Sequence, residues 1–555
     1  MIDDLRNASN RLRAALDHYV RICSNVQDVC LQGTTPQNTI LDYVEQVERE
    51  LGLVESYDVK MQLAKKAIKV TRNYALSITP INRLPNEILA RIFHMARHVE
   101  PCSVDHTALV CSRWRTIVLR DPSFWTRIDF HPSICQSFYL SLNRAEAHIL
   151  RSGEMPLNIY ISAAQDSPKK GYYDSPMKSP CKHAAPRMST LEINLADFES
   201  NDLLRSTHSA INTLFLHCQL GLFTRLVTFS DYFGFLTSKQ SDPGPGMRGI
   251  ILEVEHSRLE AVLASVTALH LIGLYPTWTS QAYHGLVELR LVNSPGAIDS
   301  IPEHQLITIL QSSPGLRILQ TGLQITDRVE EHLNVSVSLP DLEVLQVDSE
   351  AFPRSNLCHL ELVRFLVPGL QPLNLTIQCH GLQLTELSKA HTKAFLARSN
   401  VTQFHADQVL CPYDILPLMS GLKALILSNC VPLPVGQLGL VEPPDQADSS
   451  SAVYPKLDVC LILECALPLD QFRDIIQRCQ VQTLMIYSSK FLDNIDGRIL
   501  DTETAVKKLS QVCSNVKISK LIPRFVEHQD FFYEYTNLVS CLNLNAGFDT
   551  LPDPS

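Results

Sequence analysis

The chain has 555 residues, of which 48 are Lys or Arg and 58 are Asp or Glu, giving a formal net charge of -10. Hydrophobic residues make up 45% and charged residues 19%, which is typical of a packed globular protein and not of a disordered one. The mild acidity argues against a nucleic-acid-binding protein, because such proteins normally carry a basic face. A chain of this length is too long for one compact core, so several units or an elongated repeat array are predicted.

The sequence gives no indication of export, of a membrane segment or of a metal site. Its first residues are acidic, and no apolar run approaches the roughly eighteen residues of a membrane span. The 16 cysteines are scattered, and Cys460 and Cys465 lack the second pair that a zinc site needs. We therefore expect buried reduced thiols, no bound metal, no membrane contact and a cytoplasmic or nuclear location.

Residues 1–78 have the spacing of two amphipathic helices. Apolar residues recur in steps that are mostly four and three along residues 5–30, and again along residues 40–68 after the breaker at residues 33–36. Asp58 and Lys65 occupy two seam positions of the second stripe. The spacing predicts a helical hairpin that folds on itself or on the following domain; the alternative is a coiled-coil dimerisation arm.

Residues 79–130 are predicted to hold two short helices with wide apolar faces. Pro85 suits the first position of a helix, where no N–H donor is needed. The apolar residues of this first helix are Leu84, Ile88, Leu89, Ile92 and Phe93. After a polar link at residues 94–106, a second helix is predicted from Thr107, with an apolar face made of Val110, Cys111, Trp114, Ile117 and Val118. A turn at residues 121–125 then leads into a short strand, Arg127–Phe130.

Three separated submotifs of this segment resemble an F-box. They are Leu84-Pro85-x-Glu87-Ile88-Leu89-x-x-Ile92-Phe93, Leu109-Val110-Cys111-Ser112-Arg113-Trp114-Arg115 and Asp121-Pro122-Ser123-Phe124-Trp125. The resemblance implies a three-helix motif that binds a Skp-type adaptor and, through it, a cullin ubiquitin ligase. With the preceding helices and the repeats that follow, the chain looks like the large fungal F-box-like families.

A motif this small cannot bury two wide apolar faces within itself, and exposed faces of this kind are sites for partner helices. The residues predicted to bind the adaptor are Leu84, Pro85, Ile88, Leu89, Ile92, Phe93, Leu109, Val110, Cys111, Trp114 and Ile117. Trp114 and Trp125 are also expected to close the motif onto the first repeat. The alternative is that both faces pack onto the neighbouring repeats and no adaptor binds.

From residue 186 to about residue 520 a six-residue template recurs, with apolar residues at its first, fourth and sixth places. Clear copies begin at Met188, Ile211, Val266, Leu286, Leu342, Leu422 and Val481, and weaker copies at Leu316, Val401 and Leu457. The fourth and sixth places alternate as the inward side chains of a strand do, and connections such as residues 305–310 and 472–479 are predicted to be helical. Since one such unit cannot cover its own apolar side, the units are predicted to stack as an irregular leucine-rich-repeat solenoid. The alternative is an ordinary α/β domain with parallel strands.

The predicted fold class is therefore α/β: an N-terminal helical segment and a three-helix F-box motif, followed by the irregular solenoid over residues 186–520. Residues 131–185 are assigned to a linker, a first strand and a Pro/Lys-rich loop, and residues 521–555 to a C-terminal cap or tail. Asp166–Arg187 is predicted to be an exposed loop, whose Ser167, Ser175 and Ser179, each followed by proline, are either phosphorylation sites or merely solvated. Residues 441–454 are predicted to be an acidic flexible insertion.

No set of catalytic residues can be assembled from the sequence. Gly244, Gly246 and Gly249 match a dinucleotide-binding pattern, but Ile250–Val254 after them has the character of a strand and not of the helix that a phosphate site needs. We therefore expect a non-enzymatic protein without a cofactor, which binds an unidentified protein substrate through its repeats. The alternatives are a leucine-rich-repeat scaffold with no ligase partner, and an enzyme.

Overall fold

A computed structural model gives the arrangement of the chain. The residues that it describes are 2–32, 40–74, 80–99, 103–130, 136–162, 177–195, 201–239, 248–294, 299–327, 335–349, 359–379, 386–407, 412–430, 453–493 and 498–519. The chain divides into two compact units, Met1–Arg120 and Asp121–Ser555. Within the described segments, no helix combines the length and the apolar character needed to cross a membrane.

The described residues form a mixed α/β structure with thirteen α-helices. The helices are α1 (Ile2–Leu31), α2 (Ile40–Tyr74), α3 (Asn86–Val99), α4 (Ser103–Val110), α5 (Ser112–Arg120), α6 (Gln136–Arg151), α7 (Lys178–Ala184), α8 (Asn201–His217), α9 (His256–Leu263), α10 (Glu303–Gln311), α11 (Glu386–Arg398), α12 (Leu469–Arg478) and α13 (Thr502–Leu509).

The strands of the same residues all lie in the second unit. They are β1 (Arg127–Phe130), β2 (Leu157–Ser162), β3 (Met188–Leu195), β4 (Arg225–Ser238), β5 (Arg248–Leu252), β6 (Ala268–Pro276), β7 (Glu288–Val292), β8 (Ser300–Pro302), β9 (Ile318–Thr321), β10 (Gln324–Thr326), β11 (Val337–Leu339), β12 (Val344–Ser349), β13 (Leu366–Pro368), β14 (Leu373–Cys379), β15 (Val401–Asp407), β16 (Ala424–Ser428), β17 (Val459–Leu463), β18 (Ala466–Pro468), β19 (Thr483–Tyr487), β20 (Lys490–Leu492), β21 (Ile499–Leu500) and β22 (Asn515–Ser519).

The first unit begins with the two long helices that the apolar spacing predicts. Tyr19 on α1 donates a hydrogen bond from its hydroxyl to Glu50 Oε2 on α2, at 3.0 Å. This bond to a carboxylate raises the pKa of Tyr19 to about 12, because ionisation would place two negative charges side by side. The two helices therefore touch within one chain, although α1 has no buried residue along its whole length.

One large parallel sheet organises the second unit. Its strands lie in the order β1-β2-β3-β4-β6-β7-β9-β12-β14-β15-β16-β17-β19-β22, and β5 pairs with the end of β4. Each strand thus lies beside the next long strand along the chain. The shorter strands pair separately, β8 with β10, β11 with β13, and β18 with β20 and β21.

The register of this sheet keeps equivalent residues of successive strands side by side. Across β6, β7 and β9 the direct neighbours are Leu269, Leu289 and Leu319, and across β16, β17 and β19 they are Leu425, Cys460 and Leu484. All of them are buried in one continuous apolar core. Because side chains alternate between the two faces of a strand, the residues between them lie on the opposite face of the sheet.

Strands were predicted well from the six-residue template, with one error. Every copy except one falls on a strand of the large sheet, and the copy at Ile211 is wrong, because residues 201–217 form helix α8. Ile211 and Leu214 are buried there, whereas Leu216 is 49% exposed. Residues three positions apart lie on the same side of a helix. The first and fourth places of the template are also three positions apart, so the template could not distinguish a helix from a strand here.

The exposed loop predicted over Asp166–Arg187 is wrong at its C-terminal end. Residues 163–176, with Ser167 and Ser175, lie outside the described residues. From Lys178 the chain forms α7 and a short 3-10 turn, and Pro180, Cys181 and Ala184 are buried. This end is held in place by its buried residues. The loop was predicted from the average composition of the segment, which does not show that individual residues among the prolines and lysines are buried. Most of the predicted insertion at 441–454 also lies outside the described residues.

A buried polar cluster lies on the face of the sheet away from the main core. Ser428 Oγ donates to Asp407 Oδ1 at 2.7 Å, and Asn429 Nδ2 donates to the same oxygen at 2.9 Å. His405 Nε2 lies 2.7 Å from Ser428 Oγ. Since the serine proton is directed to Asp407, the imidazole Nε2 is the donor in this pair. Burial lowers the pKa of His405 to about 4, and the charge of Asp407 opposes that shift only in part.

This cluster predicts a specific loss of stability in mild acid. The folded pKa of His405, about 4, lies below the usual 6.5, so the unfolded state takes up the proton first as the pH falls. The histidine's contribution is complete above pH ~6.5, and the free energy of unfolding should fall by about 2 kcal/mol between pH 7.5 and pH 5. Denaturant titrations of the chain and of His405→Gln at both pH values measure it. On acidification, the free energy of unfolding of His405→Gln should fall by about 2 kcal/mol less than that of the unaltered chain. Equal falls in the two proteins would show that His405 is not the group responsible.

Candidate protein-binding site

Three helices of the first unit, α3, α4 and α5, form the candidate site. Pro85 directly precedes α3, and its carbonyl accepts the first helical bond, from Leu89 N at 3.1 Å. Glu87 lies in the first turn, where a carboxylate complements the helix dipole. The sequence predicted this beginning to within one residue, since Pro85 precedes the first helical position and does not occupy it.

The apolar spacing predicted two helices in this motif, whereas the F-box resemblance implied three, and the structure has three. The link expected at residues 94–106 is helical at both ends, since α3 runs to Val99 and α4 begins at Ser103. The helix expected from Thr107 onward is interrupted at Cys111, where α4 ends and α5 begins. Cys111 Sγ accepts a hydrogen bond from Trp114 N at 3.5 Å, so its sulfur replaces a missing helical partner at the start of α5.

A small apolar centre holds the three helices together. Leu89 and Phe93 of α3 are 0% and 5% exposed, and Val104 and Val118 bury their side chains from α4 and α5. The Phe93 and Trp114 rings lie with their centroids 4.7 Å apart. Of the predicted adaptor-binding residues, Leu89 and Phe93 therefore support the surface from beneath.

Most of the other predicted residues stay open to water. Ile88 is 44% exposed and Ile92 is 38% exposed on α3, while Leu109 and Val110 at the end of α4 are 75% and 56% exposed. Pro85 is exposed too, and the half-buried members of the predicted set are Leu84, Cys111, Trp114 and Ile117. We call Pro85, Ile88, Ile92, Leu109 and Val110 the open flank.

The two tryptophans have different surroundings. Trp114 contacts Phe93 inside the motif. Trp125 is fully buried in the second unit, with His148 at 4.9 Å from its ring and the Arg151 guanidinium 4.5 Å above it, both on α6. Trp125 thus packs at the beginning of the sheet, beside β1.

Arg113 fixes the geometry of the open flank, a role that the sequence did not suggest. Its guanidinium donates to the Leu84 carbonyl at 2.6 Å and to Asn86 Oδ1 at 2.8 and 3.0 Å. The planar fork of an arginine can hold both acceptors at once, which the single ammonium of lysine cannot. The turn that presents Pro85 and Ile88 is therefore tied to α5 by one side chain. Arg113 belongs to the second F-box submotif, but only the hydrogen-bond distances in the structure identify its partners.

Loss of Arg113 should loosen the start of α3. Arg113→Ala removes bonds from a charged donor and should cost about 2 kcal/mol locally, whereas Arg113→Lys should recover only part of that. Hydrogen exchange at the Leu89 amide, read by mass spectrometry on the full chain, should speed up by more than tenfold in Arg113→Ala. The exposed Arg91→Ala in the same motif is the control. Equal exchange rates of the Leu89 amide in Arg113→Ala and Arg91→Ala would mean that Arg113 does not stabilise the start of α3.

Comparison with known proteins agrees with the geometry. The profile of the F-box-like family matches residues 81–131, which cover α3, α4, α5, the turn after them and β1. A search of curated proteins gave no match. F-box domains generally bind Skp-type adaptors, and such a domain suggests a role as a ubiquitin-ligase adaptor. Residues 81–131 of this chain are an F-box-like domain.

Proposed function

We propose that this protein is the non-enzymatic substrate-recognition subunit of a Skp–cullin–F-box ubiquitin ligase. The F-box-like domain docks a Skp-type adaptor, and through it the cullin, while the second unit captures a protein substrate. The observation that carries the proposal is the open flank above the buried Leu89 and Phe93. Its members come from two helices of one small motif, as expected of a surface that packs against partner helices.

The magnitudes fit such a contact. Fully burying an aliphatic side chain contributes roughly 1.5–3 kcal/mol, so covering the exposed parts of Ile88, Ile92, Leu109 and Val110 would contribute about 1 kcal/mol each. Leu84 and Pro85 begin the helix at the edge of this flank, held by Arg113. A few well-placed side chains of this kind commonly dominate an interface.

We also propose that the second unit is an irregular leucine-rich-repeat solenoid of the kind found in large fungal F-box-like families. Three features support this: strands paired in chain order, leucines in register across them, and helices such as α10 and α12 that cover the core side. An array of this type offers a long surface to a protein ligand without any catalytic group. The ligase chemistry then belongs to other subunits. This chain contributes by holding a substrate lysine near the charged ubiquitin-conjugating enzyme, in the cytoplasm or the nucleus.

Adaptor capture tests the proposal. The full chain and a Leu84→Ala plus Ile88→Ala variant are each co-expressed with a Skp-type adaptor and purified through the chain. We expect the variant to weaken binding by at least about tenfold, because apolar contacts of some 1–2 kcal/mol are lost. Leu119→Ala is the matched control, since Leu119 is 42% exposed on α5 and lies outside the predicted set.

A second variant separates binding from folding. Leu109 is 75% exposed, so Leu109→Asp should leave the circular dichroism spectrum and the unfolding midpoint unchanged while it abolishes adaptor capture. If every variant recovers the adaptor equally, the open flank is not the docking surface. If no variant recovers it, and the unaltered chain does not either, the protein is a scaffold without a ligase partner.

A further inference from the structure

The α2 helix is apolar on two opposite sides. One side, the front stripe, contains the seam residues predicted from sequence, which are Val44, Val47, Leu51, Val54, Met61 and Ile68. The other side, the back stripe, consists of Gly52, Val59, Leu63 and Val70, spaced by seven, four and seven residues. Val59 and Leu63 lie two residues on either side of Met61, about 200° around the helix from the front stripe.

Helix α1 contacts α2 on the side of the front stripe, through Tyr19. The carboxylate of Glu50, which accepts the bond from Tyr19, is three residues from Val47 and four from Val54, so it shares their side of α2. One helix cannot cover two opposite faces of another. The back stripe is open, with Val59 at 61%, Leu63 at 62% and Val70 at 44% exposure, but the front stripe is exposed as well, with Leu51 at 63% and Ile68 at 55%. The back stripe therefore differs from the front stripe in its symmetry and its flanking charges, and not in its exposure. At Gly52, an added Cβ would meet no atom within 4 Å, so another backbone could approach closely there.

We propose that the back stripe binds the back stripe of a second copy of this chain, so that the protein is a homodimer joined by antiparallel α2 helices. The stripe is symmetric in sequence about Met61. A twofold axis beside that residue sets Val59 of each copy against Leu63 of the other, and Gly52 of each against Val70 of the other. Such self-complementarity is what an isologous interface requires.

The charges beside the back stripe have the same symmetry. Glu55 and Lys66 lie on one flank of the stripe, at nearly equal distances before and after Met61. The twofold axis therefore brings Glu55 of each copy close to Lys66 of the other, and two ion pairs border the apolar contact. Helices that pack along α2, which is roughly 50 Å long, reach the scale of the roughly 800 Å² per partner of a standard interface.

The dimer does not depend on the proposed ligase role. The open flank lies on α3 and α4, whereas the back stripe lies on α2, so adaptor capture and dimerisation are separate measurements. Lys66 also borders a cleft of about 360 Å³ that includes Lys69, Cys111 and Ser112. A charge change at Lys66 therefore needs a control in the same cleft.

Light scattering after size-exclusion chromatography and sedimentation equilibrium on the full chain test the proposal. We expect a dimer at about 10 µM, and a monomer for Leu63→Glu, because a buried unpaired carboxylate is costly. Glu55→Lys and Lys66→Glu should each weaken the dimer by roughly tenfold, and the two together should restore it. Lys69→Glu, in the same cleft but off the flank, should change nothing.

Several outcomes would overturn the dimer. The unaltered chain could remain monomeric up to about 50 µM with its helices intact by circular dichroism. Lys66→Glu could equal Lys69→Glu, or the double reversal could fail to restore association. A chain that is monomeric alone and whose adaptor capture is lost in Leu63→Glu would assign the back stripe to that partner instead.

Discussion

The second unit depends on one constraint: no strand of its sheet can bury its inward side chains without an in-register neighbour. Leu289 of β7 is fully buried because Leu269 and Leu319 flank it on both sides. The last strand shows the converse, since Ile518 of β22 is 51% exposed although its strand partner Ile486 is 2% exposed. Burial is thus a property of the stack and not of any single unit. The parallel order of the strands follows from it, because each new strand is stabilised by adding to the open edge of the last.

The F-box-like domain must also bury apolar side chains, but it has far fewer residues with which to cover them. Leu89 and Phe93 use the interior that three short helices can offer, and Ile88, Leu109 and Val110 are left outside. A large sheet can bury most of its apolar residues, whereas a small motif must leave a larger share exposed for a partner. This contrast between the two units agrees with the proposed division of labour, in which the first unit binds the adaptor and the second unit binds the substrate.

Much of the fold could be predicted from periodicity, because periodicity reports which side chains are buried together. The long helices α1 and α2, the start of α3 next to Pro85, the strand Arg127–Phe130 and most template strands were predicted correctly. The predictions failed where one spacing serves two structures, as at Ile211, or where one side chain alters a helix, as at Cys111. Strands β4 and β14 were missed, although Leu370, Leu373 and Leu375 give β14 the spacing of the template.

The candidate site was predicted in part. The open residues of the flank were named from the apolar pattern and the F-box resemblance, but pattern alone could not show that Leu89 and Phe93 lie beneath it. Arg113 was missed as a structural residue because its partners, Leu84 and Asn86, lie 29 and 27 residues away. Contacts between distant parts of a sequence leave no periodic signal. The back stripe of α2 was missed for another reason. The spacing of the front stripe was enough to predict the helix, so the remaining apolar residues of α2 were not considered.

The register of the sheet also has a consequence for how such a protein can change over time. Glu192, Val227, His270 and Arg290 are direct neighbours in one row across four strands, and each points away from the leucines that hold the stack together. Their side chains differ in charge and size, yet the strands beneath them keep the same pairing. In the proposed role, the side chains that would recognise a ligand and those that hold the fold together therefore occupy alternating positions of the same strands. Mutation can explore new ligands at the exposed members of this row, while selection for stability acts on the leucines and on buried members such as Arg290, which is 8% exposed and paired with Glu288.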